Sequence, residues 1–142
     1  MTIEPGFTCR LCLRSGTDKR AHRASLAGEV ELENRSRTEL ALRVTTHPLQ
    51  YLDLIVTGPD GGVVSEFHYG NLFSPPAEPY TWLLQPGERY VAPVALLGNV
   101  PPAHQRPGWY TVRAVYEFPG GRSESDPLRV YLDEPPAASA GA

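Results

Sequence analysis

From Pro107-Gly108 to Phe118 the chain alternates between apolar and polar positions. Tyr110, Val112, Ala114, Tyr116 and Phe118 form one row, and Thr111, Arg113 and Glu117 lie on the other. Successive side chains leave a strand on opposite faces, so a period of two predicts a half-buried β-strand. The pattern recurs along the chain. Phe7, Cys9, Leu11 and Leu13 mark an N-terminal strand over about residues 7–13. Val30 and Leu32 point inward between Glu29, Glu31 and Glu33; Asn34-Arg35-Ser36-Arg37 reads as a turn, and Leu40, Leu42 and Val44 resume the inward row. That pair is expected to form an antiparallel hairpin with one wet face. Tyr51–Thr57 is the most hydrophobic run and predicts a central strand partly buried on both faces. Gly58-Pro59-Asp60-Gly61-Gly62 then supplies turn chemistry, and Val63–His68 returns. Gln85-Pro86-Gly87-Glu88 makes another turn ahead of Tyr90, Ala92, Val94 and Leu96, and Leu128–Leu132 closes the series. About eight short strands and no long helix predict an all-β, two-sheet antiparallel sandwich.

Two segments fall outside this order. His68–Pro79 mixes aromatics with prolines and predicts a rigid, irregular loop, and Asp133–Ala142 is a Pro/Ala-rich tail expected to be disordered. The chain of 142 residues suits one domain over residues 1–132, with its core in 27–132. Its 15 prolines and 13 glycines fit many strands joined by tight turns rather than long helices.

Charge is unevenly placed. Residues 1–26 carry Arg10, Arg14, Lys19, Arg20 and Arg23 against Glu4 and Asp18, a balance of +3, which leaves −6 for the rest of a chain whose net charge is −3. An acidic body argues against nucleic acid as a partner. The basic segment 10–23 is either a solvated loop or an arm for an acidic partner. The N-terminus has neither the cationic nor the apolar region of a secretory signal, and no stretch approaches the ~20 apolar residues of a membrane span. The expectation is a cytoplasmic protein with no membrane partner.

Leu84-Gln85-Pro86-Gly87-Glu88 followed by Pro107-Gly108-Trp109-Tyr110-Thr111-Val112-Arg113-Ala114 resembles the last third of bacterial immunoglobulin-like modules, among them the BsuPI-type intracellular proteinase inhibitors. Val30-Glu31-Leu32-Glu33-Asn34 and Leu54-Ile55-Val56-Thr57-Gly58-Pro59-Asp60-Gly61 are similar as well, so the resemblance covers residues 27 to 132. It implies an immunoglobulin-like sandwich of about seven to nine strands. Gly108-x-Tyr110-x-Val112 has the spacing of the tyrosine corner, which would make Tyr110 a lock on upstream backbone. Val112 would then stand where antibody domains carry their second cysteine. An ordinary glycine turn before a strand aromatic is the other reading. Val64-Ser65-Glu66-Phe67-His68 matches the inhibitors' aromatic segment only loosely.

Little of the sequence points to chemistry. Cys9-x-x-Cys12 lacks a second pair, and His22, His47, His68 and His104 are scattered. On a strand the two cysteines face opposite ways, so neither a disulfide nor a shared metal is expected, and no cofactor. No Gly-x-Ser-x-Gly elbow, His-Glu-x-x-His helix or phosphate-binding glycine loop occurs, and no catalytic residues are expected. The loop carrying His68, Tyr69, Leu72, Phe73, Tyr80 and Trp82 is the candidate protein-binding site, because its aromatics bury much area at low entropic cost. The alternative is that they fold over the sandwich edge as a satellite core. The expected function is a non-catalytic protein-binding or assembly module with a protein partner or self-association. The alternative is a BsuPI-like inhibitor acting through a surface loop.

Overall fold

Alternation of β-branched and aromatic residues with short polar linkers produces strands almost throughout a computed structural model, which describes residues 6–13, 20–21, 27–72 and 78–133. These are β1 (Phe7–Leu13), β2 (Arg20–Ala21), β3 (Ala27–Asn34), β4 (Leu40–Val44), β5 (Leu52–Thr57), β6 (Val63–His68), β7 (Tyr80–Leu84), β8 (Arg89–Ala95), β9 (Gly108–Phe118), β10 (Gly121–Glu124) and β11 (Leu128–Leu132). Three single 3-10 turns, Pro48–Tyr51, Tyr69–Leu72 and Pro102–His104, are the helical elements among the described residues. The fold is all-β. β2, β7 and β10 are strands that the alternation did not announce. Most of the basic segment 10–23, Phe73 and the tail from residue 134 onward lie outside the described residues.

Two sheets face each other. One runs β1-β3-β8, and the other runs β2-β11-β9-β5-β6 with β10 also on β9. All pairings are antiparallel except β2 with β11. The inward rows of both sheets, from Val30 and Leu32 on β3 to Leu54 and Val56 on β5, merge into one apolar core. β5 is central as its composition predicts, flanked by β9 and β6. The β5–β6 turn works as its residues suggest: Asp60 Oδ1 accepts the Gly62 N–H at 3.0 Å, and Gly61 takes φ +91°.

β9 owes its length to serving several strands. β5 lies along one edge; β11 and then β10 share the other. Ser125 bridges their gap, accepting the Ala114 N–H on Oγ at 2.9 Å and donating its own N–H to Ala114 O at 2.8 Å. Tyr110 is fully buried, and its hydroxyl lies 2.9 Å from His104 O and 2.6 Å from Arg106 O while accepting the Arg106 N–H at 2.8 Å. It locks the connection that precedes β9, as the Gly-x-Tyr-x-Val spacing suggested, and Val112 is buried in the core.

The expected β3–β4 hairpin does not form. β3 pairs with β1 and β8, whereas β4 pairs with β7. Glu33 lies opposite Arg89 and Leu40 opposite Leu84, so β3–β4 and β7–β8 are two interrupted strands of one antiparallel ribbon. Asn34 sits at the break, buried, donating Nδ2 to Thr38 O at 2.9 Å and Leu84 O at 2.8 Å and accepting the Ser36 N–H on Oδ1 at 3.0 Å. The Trp82 and Tyr90 ring centroids are 5.2 Å apart. A straight strand would part residues at that spacing by about 26 Å, so the ribbon doubles back at Asn34. Alternation restarts after a polar break in either geometry; only the partners distinguish them.

Candidate functional site

An open cleft of about 290 Å³ lies beside β8, lined by His47, Leu49, Tyr69, Tyr90, Val91, Ala92 and Pro93. Its floor is the Pro48–Tyr51 turn. His47 caps that turn, its Nδ1 accepting the Leu49 N–H at 3.0 Å, and Pro48 occupies the first position, where no N–H is required. Gln50 Oε1 accepts the N–H groups of Thr45 and Thr46 at 2.9 and 3.0 Å, and the Tyr116 hydroxyl donates to Pro48 O, so the turn is anchored to the core from both sides. Burial lowers the His47 pKa from its ordinary 6.5, so the imidazole is neutral at pH 7 and acts as an aromatic wall with a polar edge.

The walls are aromatic. Tyr69 opens the second 3-10 turn, packs edge-on to Phe67 at 5.3 Å, and shares a hydrogen bond with the backbone of Ala95. Burial raises its pKa and that hydrogen bond opposes the rise, leaving a neutral phenol. Tyr90 stands edge-on to Trp82 and, at 6.4 Å, to His47. Its pKa is raised by burial and by Tyr80. Every titratable group in the cleft is therefore neutral at pH 7, and the chemistry it offers is apolar contact plus a few hydrogen bonds.

The six residues singled out in the sequence do not form one loop. Tyr69 lines the cleft, and Trp82 supports it through Tyr90. Tyr80 and Trp82 lie on β7, opposite Val44 and Leu42, and Tyr80 is 46% exposed. His68 ends β6 on the outer face of its sheet, its Nδ1 2.6 Å from Asp53 Oδ1. Leu72 closes the second 3-10 turn, and Phe73 is outside the described residues. Sequence reasoning missed His47, Leu49, Tyr90 and Pro93. Tyr90 was counted as an inward strand position. Pro93, inside an alternating run, carried the one available signal, because proline within a sheet belongs at an edge.

Among the described residues, other groups with chemical potential do not converge. Asp53 and His68 are the pairing closest to a base with its orienting acid, and a Cβ on Gly70 would lie 2.7 Å from His68 Nε2, so the ring packs where only a glycine fits. Cys9 is buried and its thiol is pushed up to about 12 by burial, whereas Cys12 is exposed on the opposite face. Among the described residues no three His, Cys, Asp or Glu side chains are grouped to hold a metal ion, and no helix is long and apolar enough to cross a membrane.

No protein-family model matches the chain, and no curated protein matches it in sequence. Among solved structures it is similar to a β-glucosidase from Listeria innocua. The gluconolactone complex of that enzyme gives a TM-score of 0.48 at 16% identity, and the glucose complex 0.46 at 17%. Each alignment covers 91% of this chain and 16% of the enzyme chain. The chain thus spans about one-sixth of the length of these enzymes. A likeness at that identity and score says nothing of activity or ligand.

Proposed function

We propose that this chain is a non-catalytic protein-binding module of immunoglobulin-like architecture. The observation that carries the reading is the aromatic cleft of about 290 Å³ beside β8, uncharged at neutral pH and without converging nucleophile, base or metal ligands among the described residues. Aromatic walls held rigid by packing favour association, since little side-chain freedom is lost on contact. The architecture is supported by the β1-β3-β8 sheet facing β11-β9-β5-β6 and by the Tyr110 hydroxyl bonded to backbone shortly upstream.

The test is site-specific photo-crosslinking in the cells that make the protein. A photoreactive residue replacing Val91 at the cleft rim is expected to give a discrete protein adduct. The same residue replacing Trp109, on the opposite sheet, is expected to give none. Equal labelling at both positions, or none at either, overturns the reading. Stoichiometric block of a proteinase, lost when Tyr80 and Trp82 become alanine, would move the assignment to an inhibitor of the BsuPI type.

A further inference from the structure

The main chain of β8 narrows what the cleft can hold. Along an antiparallel ladder, successive residues aim their N–H and C=O groups to alternate sides. Glu88 O accepts the Asn34 N–H from the β3 side at 3.1 Å, and the Ala95 backbone shares a hydrogen bond with Tyr69. By that alternation Arg89, Val91, Pro93 and Ala95 all point their peptide groups away from β3. Among the described residues β8 pairs with β3 alone. Ala95 is engaged by Tyr69 and Pro93 has no N–H, so the open edge offers the peptide groups of Arg89 and Val91 and the carbonyl of Pro93. Such a row is complemented by an extended polypeptide, which brings its own alternating donors and acceptors.

Side chains define that polypeptide further. Ala92 is the small residue between Tyr90 and Val94 on the inward row, and the cleft lies against it. At about 290 Å³ the cleft is at the floor of the range for whole small-molecule ligands (roughly 300–1,000 Å³), which suits one bulky side chain. The outward row is apolar at Val91 (50% exposed), Pro93 and Ala95, and its single charge is Arg89. The Arg89 guanidinium is 3.7 Å from Glu31 and its side chain is 61% exposed, so it remains available to an acid on a neighbouring strand.

We infer that the open edge of β8 takes one extended segment of another polypeptide as an added strand, with a bulky apolar side chain seated beside Ala92 and an acidic side chain opposite Arg89. The two positions are three residues apart, the acid coming first in a parallel added strand and last in an antiparallel one. Pro93 keeps the pairing short, since the missing N–H stops a longer ladder from growing along this edge. The inference rests on the protein-binding reading and adds the mode of binding and the chemistry of the partner segment.

The probe is a fluorescein-labelled peptide, Thr-Glu-Val-Thr-Phe-Thr-Val-Glu, which carries an acid three residues to either side of Phe and so fits an added strand of either direction; binding is followed by fluorescence anisotropy and by amide chemical shifts of the full chain. Saturable binding with Kd on the order of 100 μM is expected, with shifts centred on Arg89–Ala95. Replacing the peptide Phe by Ala, or making Ala92→Leu in the protein, should each weaken binding about tenfold or more. Arg89→Glu should weaken it similarly, and exchanging both peptide Glu residues for Arg should restore it. Arg89 is surface-exposed, so the charge exchange decides the matter even where Ala92→Leu perturbs the fold. No saturable binding up to about 1 mM, or affinity indifferent to both protein variants, overturns the inference. So does a homodimer that Val91→Pro dissolves, because the edge would then belong to a second copy. If the Val91 crosslink persists while the peptide fails to bind, the binding module stands and the added strand falls.

Discussion

The side-chain amide of Asn34 donates to the carbonyl of Leu84 at 2.8 Å, joining two strands at the point where both are interrupted. The same amide holds Thr38 O, and its oxygen takes the Ser36 N–H, so one buried side chain serves three backbone groups on two segments. Asn34→Ala should cost about 3 kcal/mol in urea unfolding, because it strands buried carbonyls as well as removing hydrogen bonds. A loss below about 0.5 kcal/mol would mean that the junction holds without it.

Tyr110 makes a second such contact. Tyr110→Phe retains the buried ring and removes only the hydroxyl, so that Arg106 O loses its side-chain partner and the Arg106 N–H keeps only His104 O at 3.0 Å. An expected loss of about 1–3 kcal/mol, with unchanged near-ultraviolet dichroism of the core, would identify the hydroxyl as the lock.

Gly108 has φ +141°, and a Cβ there would lie 2.8 Å from Pro59 Cγ. Gly61 has φ +91° with nothing within 4 Å of its Cβ position. Gly108→Ala should therefore destabilise more than Gly61→Ala: about 2–4 kcal/mol against about 1, since the second carries backbone strain without a clash. Equal urea midpoints for the two variants would contradict the close approach of Pro59.

Opposite faces for the two thiols predict unequal reactivity. A disulfide reagent should titrate Cys12 quickly in the native protein and Cys9 only after unfolding, because buried thiols are inert. Mass spectrometry of the singly labelled native protein, with the adduct on Cys12, checks this.

Stability should decline at both ends of the pH range. The Cys9 pKa rises from its ordinary 9.0 to about 12 on burial, so the folded chain holds that proton more tightly than the unfolded chain. Its contribution is complete below pH 9 and is lost as pH climbs toward 12, at about 1.4 kcal/mol per pH unit within the window. His47 is shifted the other way, so below its ordinary 6.5 the unfolded chain takes up the proton first and stability falls with falling pH. Urea midpoints at about pH 5, 7.5 and 10.5 measure both limbs. His47→Asn, which keeps a capping side chain, should flatten the acid limb, and Cys9→Ala the alkaline one.

What could be read from the sequence was whatever a single strand or turn records about itself. β1, β6 and β11 appear over the residues where alternation places them, and the Asp60-Gly61 turn and the Tyr110 corner work through the residues that announced them. β7 was hidden because Tyr80 to Leu84 carries bulky residues on both faces, which breaks the period of two. The cleft was hidden because His47, Tyr69 and Tyr90 come from three elements whose meeting is a matter of long-range pairing.

Residue order alone therefore determined an all-β chain, its turns and most of its inward rows, since these follow from local geometry and solvent preference. Which strand pairs with which was decided in three dimensions. β3 and β4 have the pattern of a hairpin, yet the Asn34 amide and the facing strands β7 and β8 make them halves of a doubled ribbon. Among the described residues that choice leaves β8 paired along one edge, with Tyr90, Tyr69 and His47 lining the cleft beside it. Pairing energies sum over whole strands, so the partner of an edge is set by the complete sheet and by no segment within it.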